Sequence, residues 1–423
     1  MAAPEMPPQP AAAGAPRGGL VSLCITQTTG WGLLYYSLPA AVRPISEDTG
    51  WDPALVTASF SAGLLVSALA GIHVGRVLDR TGPRTLMVCG SLVGVVALVL
   101  VSLAPNLPLF AAAWLLAGTA QAAILYQPAF TVISRWYGRN RVRPLTTLTL
   151  VAGFASTIFV PLTAGLTAAV GWRSTFLVLA GLLGLVTVPL HARFLNRTWP
   201  AAAHPARPAG DRLRVRAIAR SPEFLGLQAL MVLLCLGLYT VTLNIIPLLM
   251  EKGASYAAAA LGLGLVGAGQ VGGRLLFAGI PARARVATIA GAAAAAILSL
   301  AVLPGPPGSL IAAGVFAGAV RGCQTLLQAT IVAERWGMSN LGALQGRFAA
   351  PLTAVTALAP AAGPALAGWL GSYTGMAYAM AGAAGLAALT AGALLTVGTA
   401  PRKGPPGTNQ TDSAPLAPGK SGE

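Results

Sequence analysis

Charged residues are scarce in this sequence. Only 9% of its 423 residues are Asp, Glu, Lys or Arg, and 55% are hydrophobic, whereas soluble proteins carry about 25% charged residues. This composition excludes a soluble globular protein. Because about 20 apolar residues cross a bilayer as a helix, we predict an all-α membrane protein with twelve transmembrane helices. The predicted spans are 19–42, 54–74, 85–104, 108–133, 145–169, 174–192, 224–250, 254–273, 286–304, 308–333, 348–369 and 375–398.

Motifs for catalysis, nucleotide binding and metal binding are also missing. The sequence has no G-x-x-x-x-G-K-[ST] loop, which ATP-driven transporters require, and no Ser/His/Asp arrangement typical of a membrane enzyme. Its four cysteines lie singly in four different spans and form no CxxC pair, so neither a zinc site nor a disulfide framework is predicted. We therefore expect no enzyme activity, no catalytic residue, no cofactor and no metal. The cysteines are Cys24, Cys89, Cys235 and Cys323.

Basic residues are almost absent from one side of the predicted spans. With the N-terminus inside, 23 of the 27 Lys and Arg residues fall in cytoplasmic segments, and only Arg43, Arg173 and Lys252 fall in outer loops. This bias follows the positive-inside rule and predicts two cytoplasmic termini. It also argues against nucleic acid as the partner of a chain with a net charge of +16. We expect a monomer in a lipid bilayer, with a small-molecule substrate and protons as a candidate coupling ion.

Lysine itself is rare, at three of these 27 residues, while alanine and glycine are abundant. That usage indicates a G+C-rich genome, so we place the multi-pass protein in a bacterial inner membrane.

Carboxylates are absent from the middle of every predicted span, yet one arginine lies there. Arg321 is twelve residues from Ser309, which is about 18 Å along a helix, and Gln324 and Gln328 follow on the same face. An arginine at the midplane needs an acceptor. Two interpretations remain open: an anionic substrate supplies the missing charge, or carbonyls, glutamines and water satisfy the guanidinium.

Other large polar residues are confined to particular spans, and spans three, six, nine and twelve carry no Asn, Gln or charged residue in their middles. Polar groups in hydrocarbon normally face a bundle interior or an aqueous cavity. We therefore predict a central cavity from which every third helix is excluded. Scattered hydrogen bonding between helices is the alternative for individual residues. The further candidate substrate-binding residues are Gln27, Trp31, Tyr35, Gln121, Tyr239, Asn244 and Gln270.

An internal repeat divides the chain. Residues 128–136 align with residues 328–336 at an offset of 200, with four of nine positions identical and Arg-Trp at the end of both segments. Parallel duplication of a six-helix unit predicts two pseudo-symmetric six-helix bundles. The predicted organisation is a disordered tail at 1–18, bundles at 19–195 and 223–398, a cytoplasmic linker at 196–222 and a disordered tail at 399–423.

A charged loop separates the second and third spans. It runs from Gly75 to Arg84 and contains Asp79, Arg80 and Gly82 in the pattern G-x-x-x-D-R-x-G-x-R. This pattern resembles the cytoplasmic loop signature of the major facilitator superfamily. The resemblance implies a transporter that works by alternating access, with these five residues forming a conformational-switch loop. In the second repeat Phe277 stands where Asp79 would be, so we assign Arg274, in the inner end of span eight, to a degraded copy of this loop.

Two further segments carry a finer resemblance. Residues 126–128 and 135–138, with 171–173 after span five, resemble bacterial permeases of the efflux and monocarboxylate-like branches of that superfamily. We predict a permease that exports a small organic solute, with an anionic substrate as one reading. Proton-linked uptake of a monocarboxylate-like substrate and a non-transporting, transporter-like receptor are the alternatives. Trp114 and Val160 stand where drug/proton antiporters often carry arginine and glycine, which argues against that mechanism.

Overall fold

A computed structural model describes residues 16–196, 209–337 and 341–397. Helices account for almost all of these residues, as the apolar runs predict, and no strand occurs among them. The predicted tails therefore lie almost wholly outside the described residues, as does part of the predicted linker. The α-helices are α1 Gly19–Trp31, α2 Ser37–Thr49, α3 Pro53–Leu103, α4 Leu107–Ile124, α5 Tyr126–Tyr137, α6 Val142–Ala152, α7 Ala155–Phe194, α8 Ala209–Ala219, α9 Pro222–Leu243, α10 Ile245–Glu251, α11 Tyr256–Leu276, α12 Arg285–Val302, α13 Pro307–Trp336, α14 Leu341–Leu370 and α15 Tyr373–Val397.

Ten helical segments within the described part of the chain are long and apolar enough to cross a membrane. One of them, Val142–Phe194, is 53 residues long and bends at Gly171, where φ is 75°; an α-helix of that length would be about twice the bilayer thickness. α1 and α2 form a further helical segment of bilayer length, joined by a π-helical turn. The protein is an all-α membrane protein, and this arrangement is compatible with the predicted twelve spans.

In the predicted loop between spans two and three, fewer residues leave helical geometry than the sequence pattern suggests. α3 continues through residues 53–103, and only Gly82 leaves the helical region, with φ 76° and ψ 171°. Gly75, at the start of the pattern, is helical. Gly82 alone makes the bend, because it lacks the Cβ that disfavours positive φ. Pro83 then begins the next helical arm, where its missing N–H costs nothing.

The two halves of the chain meet along two helix pairs. α3 packs against α14, and α7 packs against α11. The second contact is close because α11 presents glycines: a Cβ on Gly267 would lie 2.1 Å from Ser156 Oγ. α12 and α15 instead pack against each other and against α9, α13 or α14 of their own half. This agrees with the prediction that spans nine and twelve lie away from the centre.

The repeat detected in the sequence has the same local structure in both copies. α5 and α13 end at Tyr137 and Trp336, and each is followed by a glycine with positive φ, Gly138 at 50° and Gly337 at 75°. The arginine near each end forms an ion pair. Arg135 pairs with Asp79, and Arg335 Nη1 lies 3.4 Å from Glu223 Oε1.

Candidate functional site

Arg321 is buried in α13, with only 3% of its surface exposed. Its guanidinium carbon lies 3.9 Å from the centroid of the Tyr239 ring, and its Nη1 donates to Thr242 Oγ1 at 3.1 Å. Both partners belong to α9. A cation over an aromatic face is stabilised by the ring quadrupole, more strongly where water is excluded. The Nε–H of Arg321 has no hydrogen-bond partner among the described residues.

The opposite half of the protein covers the same guanidinium with aromatic side chains. Tyr35 and Tyr36 lie close to Arg321, Tyr35 within reach of a side-chain hydrogen bond, and both are buried. They lie in the π-helical turn Gly32–Tyr36, a rare local geometry that is frequent at functional sites. Gly32 permits this turn to approach α7, because a Cβ there would lie 2.1 Å from Phe159. Arg321 is therefore held between the two repeats.

An aromatic wall extends from Tyr35 along the N-terminal half. The Trp31 ring lies 5.0 Å from the Tyr35 ring and 4.8 Å from the Tyr126 ring. Tyr126 in turn stacks on Phe130 at 4.9 Å. The indole N–H of Trp31 is buried and has no partner among the described residues. This wall offers flat apolar faces together with polar tips, which suits an amphipathic ligand.

Arg274 is a second arginine close to this region, and it lies in the last turn of α11, at the end of the helix where the sequence predicts it. α11 extends to Leu276, and the Gly273 carbonyl accepts the Cys323 thiol at 3.0 Å. Arg274 therefore lies level with α13 just beyond Arg321. It donates to the Thr149 carbonyl in the other half and interacts with Tyr126.

No described carboxylate pairs with either arginine. Every carboxylate whose side chain the structure describes is engaged elsewhere: Glu47 with Arg43, Asp48 with Trp172, Asp52 with the N-terminus of α3, Asp79 with Arg135, Glu223 with Arg335, Glu251 with the N-terminus of α15, and Glu334 with Arg285. Taking a charge out of water costs several kcal/mol unless it is paired. The region around Arg321 and Arg274 therefore carries positive charge that the described part of the fold does not neutralise.

Gln27, a candidate ligand, donates from α1 to the carbonyl oxygen of Ile124 at the end of α4. An α-helical carbonyl is normally satisfied by the N–H four residues later, but residue 128 is proline and has none. The chain also leaves helical geometry at Leu125, with ψ −157°. Gln27 therefore satisfies a carbonyl that Pro128 releases, and its Oε1 is left without a partner in the described residues.

The same arrangement recurs for other polar candidates. Gln121 Nε2 donates to the Leu34 carbonyl at 2.9 Å, and the i+5 donor expected in a π-helix would be Pro39, which has no N–H. Asn244, at the break between α9 and α10, donates to the Pro360 carbonyl at 3.4 Å, the group released by Pro364. Outside the candidate list, Gln228 donates at 2.8 Å to the Arg347 carbonyl, four residues before Pro351. These amide donors brace proline-broken helices.

The remaining candidates retain free polar atoms. Gln324 Nε2 contacts Cys235 Sγ at 3.0 Å and Gln328 Oε1 at 3.3 Å, while its own Oε1 has no partner in the described chain. Gln328 is half-buried, and its backbone carbonyl accepts from Gln345 at 2.9 Å. The Nε2 of Gln270 is likewise unpartnered among the described residues. Gln270 lies beside α13, since its carbonyl faces Gly322, where a Cβ would lie 2.2 Å away.

Comparison with known proteins decides the family. The model of the Major Facilitator Superfamily matches residues 21–308, more than half of the chain. This chain belongs to the Major Facilitator Superfamily. Among curated protein sequences, none matches it. The protein is thus a membrane transporter of this superfamily.

Solved structures share the superfamily fold. A mutant of the nucleoside transporter NupG has a TM-score of 0.71 at 13% identity, and the alignment covers 89% of this chain and 99% of NupG. A bacterial homologue of the human lysosomal transporter Spinster, inward-facing and unoccupied, has a TM-score of 0.60 at 16% identity, with 90% and 94% covered. Its inward-facing, occupied form gives 0.59 at 16% identity, with 89% and 93% covered. At such identities the likeness extends to the fold and not to the substrate.

Proposed function

We propose that this transporter moves a small organic anion by alternating access and that Arg321 binds the anionic group. The observation that carries the proposal is a nearly fully buried guanidinium, held between the two repeats, whose Nε–H has no partner in the described residues. A substrate carboxylate or phosphate would supply a charge-assisted hydrogen bond there. The aromatic wall of Trp31, Tyr35 and Tyr126 would contact the apolar part of the substrate. Gln324, Gln328 and Gln270 supply further polar atoms.

The repeat supports a functional rather than a purely structural role for this arginine. At the offset of 200, the equivalent of Arg321 is Gln121. The neutral amide of Gln121 donates a hydrogen bond to the Leu34 carbonyl of a neighbouring helix, so the fold needs no charge at this position. An arginine there costs desolvation that glutamine avoids. The alternative from the sequence analysis, in which Arg321 only stabilises the fold, gives no reason for that charge.

We propose that the protein lies in a bacterial inner membrane with both termini in the cytoplasm and that it exports its substrate. A fixed positive site favours an ionised substrate over its neutral acid, and no described carboxylate near Arg321 could carry a proton. Accumulation of an organic anion in inside-out vesicles, and none in right-side-out vesicles, would support export. Proton-linked uptake predicts the reverse, together with stimulation by an inward proton gradient.

Binding to purified Arg321 variants tests the central proposal. Carboxylates, phosphates and sulfonates would be screened by calorimetry against the wild-type protein. Arg321→Gln should weaken the binding of any anion found by roughly tenfold to a hundredfold, since hydrogen bonds to charged groups contribute about 1.5–3 kcal/mol. Arg321→Lys should restore only part of the loss, because the planar fork is missing.

Arg285→Gln is the matched control, because Arg285 forms an ion pair with Glu334 and stacks on Phe277 away from Arg321. It should leave anion affinity unchanged. Preserved affinity in Arg321→Gln, with a lowered melting temperature, would assign Arg321 to the fold and remove the anion-site proposal.

A further inference from the structure

A cavity of about 360 Å³ lies between the two halves on the predicted outer side of Arg321. Both repeats contribute to it, from α2 and the start of α3 on one side and from α10, α14 and the start of α15 on the other. Its walls are mainly apolar, and they include Leu38, Val42, Phe60, Ile246, Met250 and Pro364. Its volume falls in the range of about 300–1,000 Å³ that is usual for small-molecule sites.

The floor of this cavity is one helical turn away from the surroundings of Arg321. Thr242 binds Arg321, and Ile246 lines the cavity four residues later, just beyond the break at Asn244. The rings of Phe60 and Tyr35 are 5.4 Å apart, which joins the cavity wall to the aromatic group over Arg321. One helical turn rises about 5.4 Å. A single ligand of moderate size could therefore reach both places.

The charged groups at the cavity rim are committed to the fold. Arg43 pairs with Glu47. Burial alone would raise the pKa of Glu251, but hydrogen bonds from Thr374 and from the Tyr373 N–H, with the nearby charge of Lys252, lower it overall. Glu251 thus stays ionised as a cap on the N-terminus of α15. The cavity has no described charge left to recognise a ligand, so it selects for apolar surface.

We infer that the substrate is an amphipathic organic anion, whose acidic group binds Arg321 and whose apolar body fills the outer cavity. This inference rests on the proposed function and adds the size and polarity of the substrate. A compact acid such as acetate would leave the cavity unused. A monocarboxylate with an alkyl chain of several carbons would bury that chain against Phe60, Val42 and Ile246, and gain affinity with each methylene.

Straight-chain carboxylates of two, four, six and eight carbons test this by calorimetry in lipid nanodiscs, with empty nanodiscs subtracted. We expect the affinity to rise about fourfold per methylene, the increment for burying one such group. Val42→Trp, which fills the cavity from α2, should lower octanoate affinity at least tenfold and leave butyrate within about threefold. Val99→Trp is the control, because Val99 is half-buried in α3 outside the cavity lining.

The outcomes separate this inference from the proposed function. Arg321→Gln should weaken butyrate and octanoate by the same factor, because it removes the contact to their common group. If all chain lengths bind with equal affinity and Arg321→Gln still abolishes this binding, the outer cavity is not part of the site. The anion site at Arg321 would then still stand. Equal effects of Val42→Trp on butyrate and octanoate would also overturn the inference. Failure of every carboxylate to bind the wild type would overturn this inference, and failure of the phosphates and sulfonates as well would overturn the anion site.

Discussion

Gln27 on the first span and Pro128 on the fourth act on the same carbonyl group. Pro128 removes the N–H that would bind the Ile124 oxygen within its own helix, and Gln27 provides the replacement from α1. The neighbouring Gln121 donates in the opposite direction, from α4 to Leu34 of the π-helical turn. Two proline-adjacent breaks are thereby stabilised across one helix pair, and that pair presents Tyr35 and Tyr36 to Arg321.

Gln27→Leu should therefore destabilise the fold. It leaves the Ile124 carbonyl buried without a donor, which costs about 1–3 kcal/mol. In a Pro128→Ala background, residue 128 regains its N–H, so Gln27→Leu should cost less. The free energy of unfolding of both single variants and of the double variant, by SDS titration, measures this coupling.

Gln127→Leu serves as the control for this cycle, since Gln127 is an exposed amide on the same helix as Pro128. Its effect should stay within about 0.5 kcal/mol. Additive effects of Gln27→Leu and Pro128→Ala would contradict the shared-carbonyl explanation.

The fold class follows from the sequence because long apolar runs have few alternatives in a bilayer. Every backbone group there must be satisfied within the segment, so each run forms a helix. The charged pattern around Asp79 and Gly82 then indicates the superfamily. The depth of Arg321 also follows, since it depends only on counting residues along one helix.

The partners of the polar residues could not be predicted in this way. Gln27 and Asn244 were expected to line a cavity because polar groups in hydrocarbon need partners, and Asn244 does line the outer cavity. The structure provides these partners as carbonyls released by prolines on other helices, which no single-helix pattern reveals. The contacts of Arg274 with Thr149 and Tyr126 were missed for a related reason: they depend on how α11 packs against the N-terminal half and beside α13. Both depend on contacts between helices distant in sequence.

Tyr256→Phe should favour opening on the predicted outer side. The Tyr256 hydroxyl donates to the Ala40 carbonyl, which Pro44 leaves without its usual donor, and this bond joins the two halves beside the outer cavity. Its loss removes about 0.5–1.5 kcal/mol, which changes the equilibrium between closed and open forms by roughly two- to tenfold. A cysteine replacing Thr57, which lines that cavity, should react correspondingly faster with an impermeant maleimide.

Cys89 would be replaced in this experiment, because it is the exposed native cysteine among the described ones. Tyr373→Phe is the comparison variant, since Tyr373 lines the same cavity from the C-terminal half alone. Unchanged labelling of the Thr57 cysteine in Tyr256→Phe would show that this bond does not hold the halves together.

Reporter fusions test the orientation inferred from the basic residues. A reporter active only outside the cytoplasm should be silent after Thr198 and after Lys403, because the basic segments around both positions are predicted to stay inside. The same reporter after Lys252, in the predicted outer loop between α10 and α11, should be active. Activity at Thr198 or Lys403 would contradict the twelve-span topology.

Asp79→Asn should slow transport without weakening substrate binding. Asp79 forms an ion pair with Arg135 near the bend at Gly82, in a segment predicted to lie at the cytoplasmic edge and therefore far from Arg321. Removing its charge alters the relative stability of the conformations that alternate during transport, so the turnover rate should fall. The dissociation constant for a bound anion should stay within a few-fold of the wild-type value. Glu334→Gln, which breaks an ion pair within the other half, provides the comparison in the same flux and binding assays. A large loss of affinity in Asp79→Asn at an unchanged turnover rate would show that this carboxylate belongs to the binding site and not to the switch.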